Sequence, residues 1–154
     1  MSTPTFRLAV PAERSALEEL QRRASLMWEE DRAALLANPD AIELPLEQIT
    51  GGRTVLAESD GQLLGFSVVL PRDDGDAELD GLFVEPTYWR HGIGRALVEQ
   101  AERIASADGA ANLWVTANTS ALGFYDSCGF VKVGEVATRF RPAPKMRKSI
   151  DAAR

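Results

Sequence analysis

Two glycines separated by one residue sit between the end of an apolar strand and the start of an amphipathic helix, and they constrain this chain more than any other feature. The stretch, Leu82 to Leu97, reads Leu-Phe-Val-Glu-Pro-Thr-Tyr-Trp-Arg-His-Gly-Ile-Gly-Arg-Ala-Leu. Gly92 and Gly94 let the backbone approach a ligand and take φ values closed to other residues. The first N–H groups of the following helix have no intrahelical partner and carry the positive end of its dipole, so they can hold an anion. Arg90, His91 and Arg95 surround the loop with positive charge in a chain of net charge -6. A pyrophosphate suits such a loop better than a carboxylate.

Two common phosphate loops fail the spacing. The dinucleotide fingerprint needs a third glycine three residues after the second, where Leu97 stands, and no Gly-Lys-Ser/Thr triplet occurs anywhere. A second stretch, Asn118-Thr119-Ser120-Ala121-Leu122-Gly123-Phe124-Tyr125-Asp126-Ser127-Cys128-Gly129-Phe130, follows about twenty residues later. Taken together, Val84-Glu85-Pro86 with Gly92-Ile93-Gly94, and Asn118, Ala121, Phe124, Tyr125, Gly129 and Phe130, resemble the GCN5-related N-acetyltransferase family. The first set is similar to its coenzyme loop, Val-x-Pro followed by Gln/Arg-x-x-Gly-x-Gly/Ala. The second is similar to its Asn-x-x-Ala-x-x-Phe-Tyr-x-x-x-Gly-Phe segment. The Gln/Arg position holds Trp89, and Arg90 lies one step along. The resemblance covers roughly residues 53 to 150, and the first fifty residues match only in the order of strand and helix.

Composition bounds the remainder. The length of 154 residues predicts one domain, 1–154. The start, Met-Ser-Thr-Pro-Thr-Phe-Arg, shows no apolar core of a signal peptide, and no apolar run reaches bilayer length, so a cytoplasmic location is the default expectation. One cysteine and one histidine leave no internal disulfide and no cysteine or histidine metal cluster. The acidic balance argues against a nucleic-acid partner and favours small or cationic molecules.

In chain order, Thr5 to Val10 alternates as a strand, and Pro11 opens a helix with Ala16, Leu17, Leu20, Ala24 and Met27 as its buried stripe. Trp28 to Leu36 continues helically with Glu29, Glu30 and Asp31, and a short helix begins at Pro45 carrying Leu46 and Ile49. Arg53 to Ser59 and Gln62 to Leu70 form a hairpin through Asp60-Gly61. Ala77 to Val84 is the strand before the loop, and the helix after it presents Ile93, Ala96, Leu97, Ala101, Ile104 and Ala105. Asn112 to Ala117, a helix from Thr119 to Ser127, Gly129 to Val136 and Lys145 to Ile150 complete the pattern. The order strand, helix, strand makes the central neighbours parallel.

The resemblance implies an α/β (α+β) fold with a mixed, mostly antiparallel sheet of six to seven strands, about four flanking helices and a parallel, splayed strand pair at the centre. It implies acetyl-CoA as co-substrate, no metal, and direct transfer of acetyl to a primary amine of a small molecule or peptide. Backbone N–H groups of Leu82, Phe83 and Val84 would hold the thioester oxygen as it becomes an oxyanion. Trp89, Arg90, His91, Gly92, Ile93, Gly94 and Arg95 would form the pyrophosphate loop, and Asn118, Ala121 and Phe124 the pantetheine side. Tyr125 is the candidate acid for the departing thiolate. Glu78 is the first candidate base, with Asp80, Glu29 and a water chain as alternatives, because alternation puts Glu78 and Asp80 on one face without saying which face. A non-catalytic acyl-CoA sensor, an O-acceptor and a longer acyl donor remain as alternatives.

Other features carry plainer readings beside the functional ones. Asn118 also suits a helix cap, Cys128 a small apolar filler, and Trp28 and Trp89 core packing. The run Asp73, Asp74, Asp76, Glu78 and Asp80 suits a solvated loop or attraction of a cationic amine. The basic tail Arg139, Arg141, Lys145, Arg147 and Lys148 suits protection of an edge strand, or contact with the coenzyme's 3′-phosphate or an anionic acceptor. The final strand and the helix faces would permit a homodimer.

Overall fold

Period-two alternation punctuated by glycine turns produces seven strands in the computed structural model, which describes residues 3–139 and 141–150 without the Glu30 side chain. Met1 and Ser2 of the amino-terminal segment and the Glu30 side chain named above lie outside the described residues. The strands are β1 (Thr5–Leu8), β2 (Thr54–Ser59), β3 (Gln62–Pro71), β4 (Ala77–Val84), β5 (Asn112–Thr116), β6 (Val131–Val136) and β7 (Ala143–Ser149). The helices are α1 (Arg14–Leu26), α2 (Glu29–Ala37), α3 (Leu46–Thr50), α4 (Ile93–Ala107) and α5 (Leu122–Ser127). The sheet order is β1-β2-β3-β4-β5-β7-β6. Pairing is parallel between β4 and β5 and antiparallel in β1–β2, β2–β3, β5–β7 and β6–β7. No described helix is long and apolar enough to cross a membrane.

The chain resolves into two compact units. One takes the described residues up to Val68 together with Gly81–Gln100, and the other takes Val69–Asp80 together with the described residues from Ala101 onward. In the first unit Leu17, Leu20 and Ala24 of α1 are buried, as their helical spacing predicts. Ala16 and Met27 are not: Ala16 is exposed at the margin of that stripe, and Met27 caps the helix with about half of its surface in solvent. Leu44 and Ile49 are buried around α3, while Leu46 points outward. The β2–β3 hairpin turns through Asp60 and Gly61 with φ of 53° and 77°, the paired left-handed geometry that an Asp-Gly turn supplies. Gly65 on β3 is needed for close approach, since a Cβ there would lie 2.7 Å from the Phe83 carbonyl oxygen and 3.1 Å from Leu97 Cδ1.

In the second unit β5 alternates cleanly, with Leu113 and Val115 buried and Trp114 half-buried on the other face. The basic final strand is not an edge. It lies between β5 and β6, because the crossover through α5 leaves one strand position open beside β5, and the chain returns from β6 to fill it. Pro144 and Met146 face the core there, and Lys148 Nζ reaches Glu102 Oε2 on α4 at 3.0 Å.

Candidate active site

The loop before α4 is built from the end of β4. Val84 and Glu85 lead into a 3₁₀ turn at Pro86–Tyr88, and the Glu85 N–H donates to the Leu64 carbonyl at 2.8 Å, fixing the strand end to β3. Tyr88 Oη donates to Gln62 Oε1 at 2.9 Å and anchors the turn from the other side. Beyond it the backbone enters the left-handed region twice, at Arg90 (φ 70°) and Gly92 (φ 80°). Glycine adopts this conformation freely, whereas an arginine there is strained by about 1–2 kcal/mol, so the surroundings hold the loop in a shape it would not choose alone. A Cβ built on Gly92 would meet nothing within 4 Å, so the space over the loop is open. The Ala96 N–H donates to the Gly92 carbonyl at 3.1 Å, which starts α4. By helix geometry the N–H groups of Ile93 and Gly94, at the very start of α4, have no carbonyl one turn back inside the helix.

Trp89, at the position where a Gln or Arg was expected, turns back on the strand. Its backbone N–H donates to the Pro86 carbonyl at 3.2 Å, and its indole N–H donates to the Val84 carbonyl at 2.8 Å. Its ring stacks on Trp28, with centroids 5.2 Å apart and planes 26° from parallel. Arg23 of α1 forms a forked pair with Glu85, with contacts of 2.7 Å and 2.9 Å. The end of α1 and the turn after it are thus tied to the loop, the helix by charge through Arg23 and the turn by stacking through Trp28.

In the second unit, the β4–β5 pairing runs from Ala77↔Leu113 to Leu79↔Val115 and stops there, although β4 continues to Val84. Glu78 lies opposite Trp114 on the half-exposed face, away from Leu79, Leu113 and Val115. Its carboxylate is engaged by Arg72 at 3.0 Å. Asp80, two residues further on the same face, makes no hydrogen bond or ion pair among the described residues. Asp80 is exposed to solvent at the level of the whole residue, and partial desolvation of its carboxyl, reinforced by the nearby Glu78 charge, raises its pKa above the ordinary value. Asp76 is the reverse case. It accepts from Trp114 Nε1 at 3.0 Å, from the Asn112 side-chain amide at 3.3 Å and from the backbone N–H groups of Asn112 and Ala111 at 3.1 and 3.3 Å. Those bonds, the indole's first, hold its pKa below the ordinary range.

On α5, Tyr125 is buried with its ring edge-on to both Phe124 (5.1 Å) and Phe130 (5.5 Å). Burial pushes its phenol pKa well up, so it remains protonated at any physiological pH. The phenol oxygen has no hydrogen-bond partner among the described residues. Asn118 Oδ1 accepts from the Ser120 N–H at 2.8 Å, capping the 3₁₀ turn Thr119–Ala121 that precedes α5. Ala121 and Phe124 are half-buried beside it, and Cys128 is a buried cysteine outside any disulfide.

Residues 15–130 match the model of the Acetyltransferase (GNAT) family. The chain belongs to that family. It is 31% identical over 135 residues to N-acetyltransferase family 8 member 3 of Rattus norvegicus, covering 79% of this chain and 59% of that protein. It is 34% identical over 73 residues to the [ribosomal protein bS18]-alanine N-acetyltransferase of Escherichia coli K12, covering 46% of this chain and 49% of that enzyme. The chain thus spans about half to three fifths of the length of these relatives. Among solved structures, the PaiA N-acetyltransferase from Thermoplasma acidophilum in complex with coenzyme A superposes with a TM-score of 0.77 at 21% identity, over 96% of this chain and 99% of that one. At that identity the likeness shows the fold.

The GNAT fold explains why the sequence reading found the loop and the α5 segment. Both depend on glycines, caps and aromatics at fixed offsets along a continuous stretch of chain. Trp114, Arg72 and the bonding of Asp76 were missed because their relations cross strands. The one available signal was a tryptophan between two buried positions of an alternating strand, which must face the opposite side.

Proposed function

We propose that this chain is an acetyl-CoA-dependent N-acetyltransferase that transfers acetyl directly to a primary amine of a small molecule or peptide, acting as one domain. The observation that carries the reading is the loop. Arg90 and Gly92 are both held left-handed immediately before the first turn of α4, with clear space above Gly92. In this reading Arg90 to Arg95 bind the pyrophosphate, and Trp89 acts indirectly by fixing the Val84 carbonyl, since both of its N–H groups are already used. Asn118, Ala121 and Phe124 support the pantetheine arm, and the N–H groups of Leu82 to Val84 receive the thioester oxygen. Acetyl-CoA supplies the activated acyl carbon.

The amine nitrogen attacks the thioester carbonyl, the carbon–sulfur bond breaks, and the amide and the CoA thiol leave. Tyr125, kept protonated by burial, donates its O–H as a hydrogen bond to the departing thiolate, and the proton released from the amine ends, by way of solvent, on the CoA sulfur. Asp80 takes the amine proton in preference to Glu78, because Arg72 occupies Glu78 while Asp80 is unengaged and made more basic by its surroundings. A cytoplasmic location is part of this reading, supported by the low cysteine content of one in 154 residues.

Calorimetric titration with acetyl-CoA, with NAD and ATP as controls, tests the coenzyme assignment. We expect saturable binding of acetyl-CoA alone, weakened at least about a hundredfold by Gly92→Val, whose branched side chain is strained at positive φ and fills the approach. Unchanged affinity in a folded Gly92→Val protein sinks the loop assignment. Thiol release over hydrolysis background with a panel of primary amines then separates an enzyme from a binding module.

A further inference from the structure

The strand register gathers an unusual set of charges on one face of the second unit. Glu78, Trp114 and Arg147 lie side by side across β4, β5 and β7, and Thr116 lies beside Lys145. Directly paired residues point the same way, so Asp80, Trp114, Lys145 and Arg147 share this face, while Leu79, Leu113, Val115 and Met146 form the buried one. Three cations crowd the Trp114 ring: Arg72 at 4.5 Å, Lys145 at 4.8 Å and Arg147 at 5.3 Å from its centroid. Arg72 is neutralised by Glu78 at 3.0 Å and Asp74 at 3.2 Å, and the indole N–H by Asp76. Lys145 and Arg147 form no ion pair with any carboxylate among the described residues. The electron-rich ring face offsets part of their mutual repulsion, and an anion between them would offset the rest.

We propose that this face recognises a carboxylate on the acceptor, so that the substrate is a primary amine carrying a negative group, with the amine at Asp80 and the carboxylate at Lys145 and Arg147. The proposal rests on the acetyltransferase reading for the role of Asp80. Its dimensions suit the strand spacing. β4 and β7 lie two strand intervals apart, about 10 Å, and the amine and second side chain of an extended peptide are separated by about two residue lengths, ~7 Å. The side chains of Lys145 and Asp80 close the difference.

The test is calorimetry on the full chain with saturating CoA, which cannot turn over, using Ala-Asp-amide against its isostere Ala-Asn-amide, and 4-aminobutyrate against butylamine. The first pair reports a peptide acceptor and the second a small one. We expect at least one acidic member to bind about tenfold more tightly than its neutral partner, a preference that shrinks with added salt. Lys145→Gln and Arg147→Gln, each checked for an unchanged melting temperature, should abolish it. Equal affinity within both pairs, no binding of any probe, or a preference that survives both substitutions overturns the proposal. Thiol release measured with acetyl-CoA keeps the two readings apart. An acidic preference without release removes the enzyme and leaves this surface, whereas release at equal rates for acidic and neutral amines does the opposite.

Discussion

At Tyr125, the proposed acid role can be separated from packing by one substitution. The ring is wedged between Phe124 and Phe130, so Tyr125→Phe keeps the apolar contacts and removes only the hydroxyl. We expect turnover to fall about a hundredfold, with coenzyme affinity within twofold, measured by thiol release and calorimetry on the same preparation. Unchanged turnover would assign the acid to another group. Asp80 gives the opposite combination of effects. Its folded pKa is raised, so the folded state binds its proton more tightly than the unfolded chain does. At neutral pH, where both states are ionised, Asp80 therefore costs stability, and that cost vanishes as pH falls below the ordinary carboxylate value and both states become protonated. Asp80→Asn should raise the melting temperature at pH 7 but not at pH 3, while lowering turnover about a hundredfold. Glu78→Gln should lower turnover far less. A Glu78 variant slower than the Asp80 variant would exchange the two roles.

Among the elements, the segment from β4 to α4 has its geometry imposed by its neighbours. Glu85 is held by Leu64 and Arg23, Tyr88 by Gln62, and Trp89 by Val84 and Trp28. Those restraints explain how Arg90 persists at positive φ. They also show what tryptophan does at the position where the family motif has Gln or Arg: its side chain braces the strand end. Trp89→Phe preserves the stack on Trp28 and deletes the 2.8 Å bond to the Val84 carbonyl. The loss of that bond should cost about 1 kcal/mol of stability, together with a several-fold weaker grip on acetyl-CoA, read by denaturant melts and calorimetry. Equal coenzyme affinity would show that the brace serves folding alone.

Across the whole molecule, the acid limit of stability follows from carboxylates held below their ordinary pKa. Asp76 joins the loop before β4 to β5 by accepting from two backbone N–H groups, the Asn112 amide and an indole. Its contribution is fully present above the ordinary carboxylate value and is lost as pH falls through its depressed folded value. Asp76→Ala should destabilise the protein by about 1–2 kcal/mol at pH 7, with the difference shrinking in melts near pH 2. A constant difference across that range would mean that packing, not charge, is what Asp76 supplies. The sequence alone determined the loop before α4, the β2–β3 turn and the Asn118–Phe130 segment, since each is a local arrangement set by glycine, cap and aromatic spacing. Burial of Leu17, Leu20 and Ala24 was likewise readable from period. Only the tertiary structure decided that β7 enters between β5 and β6, that Glu78 is occupied while Asp80 is not, and that Lys145 and Arg147 converge on Trp114. Those facts depend on which strands become neighbours and in what register, and sheet pairing joins residues whose separation along the chain carries no periodic signal.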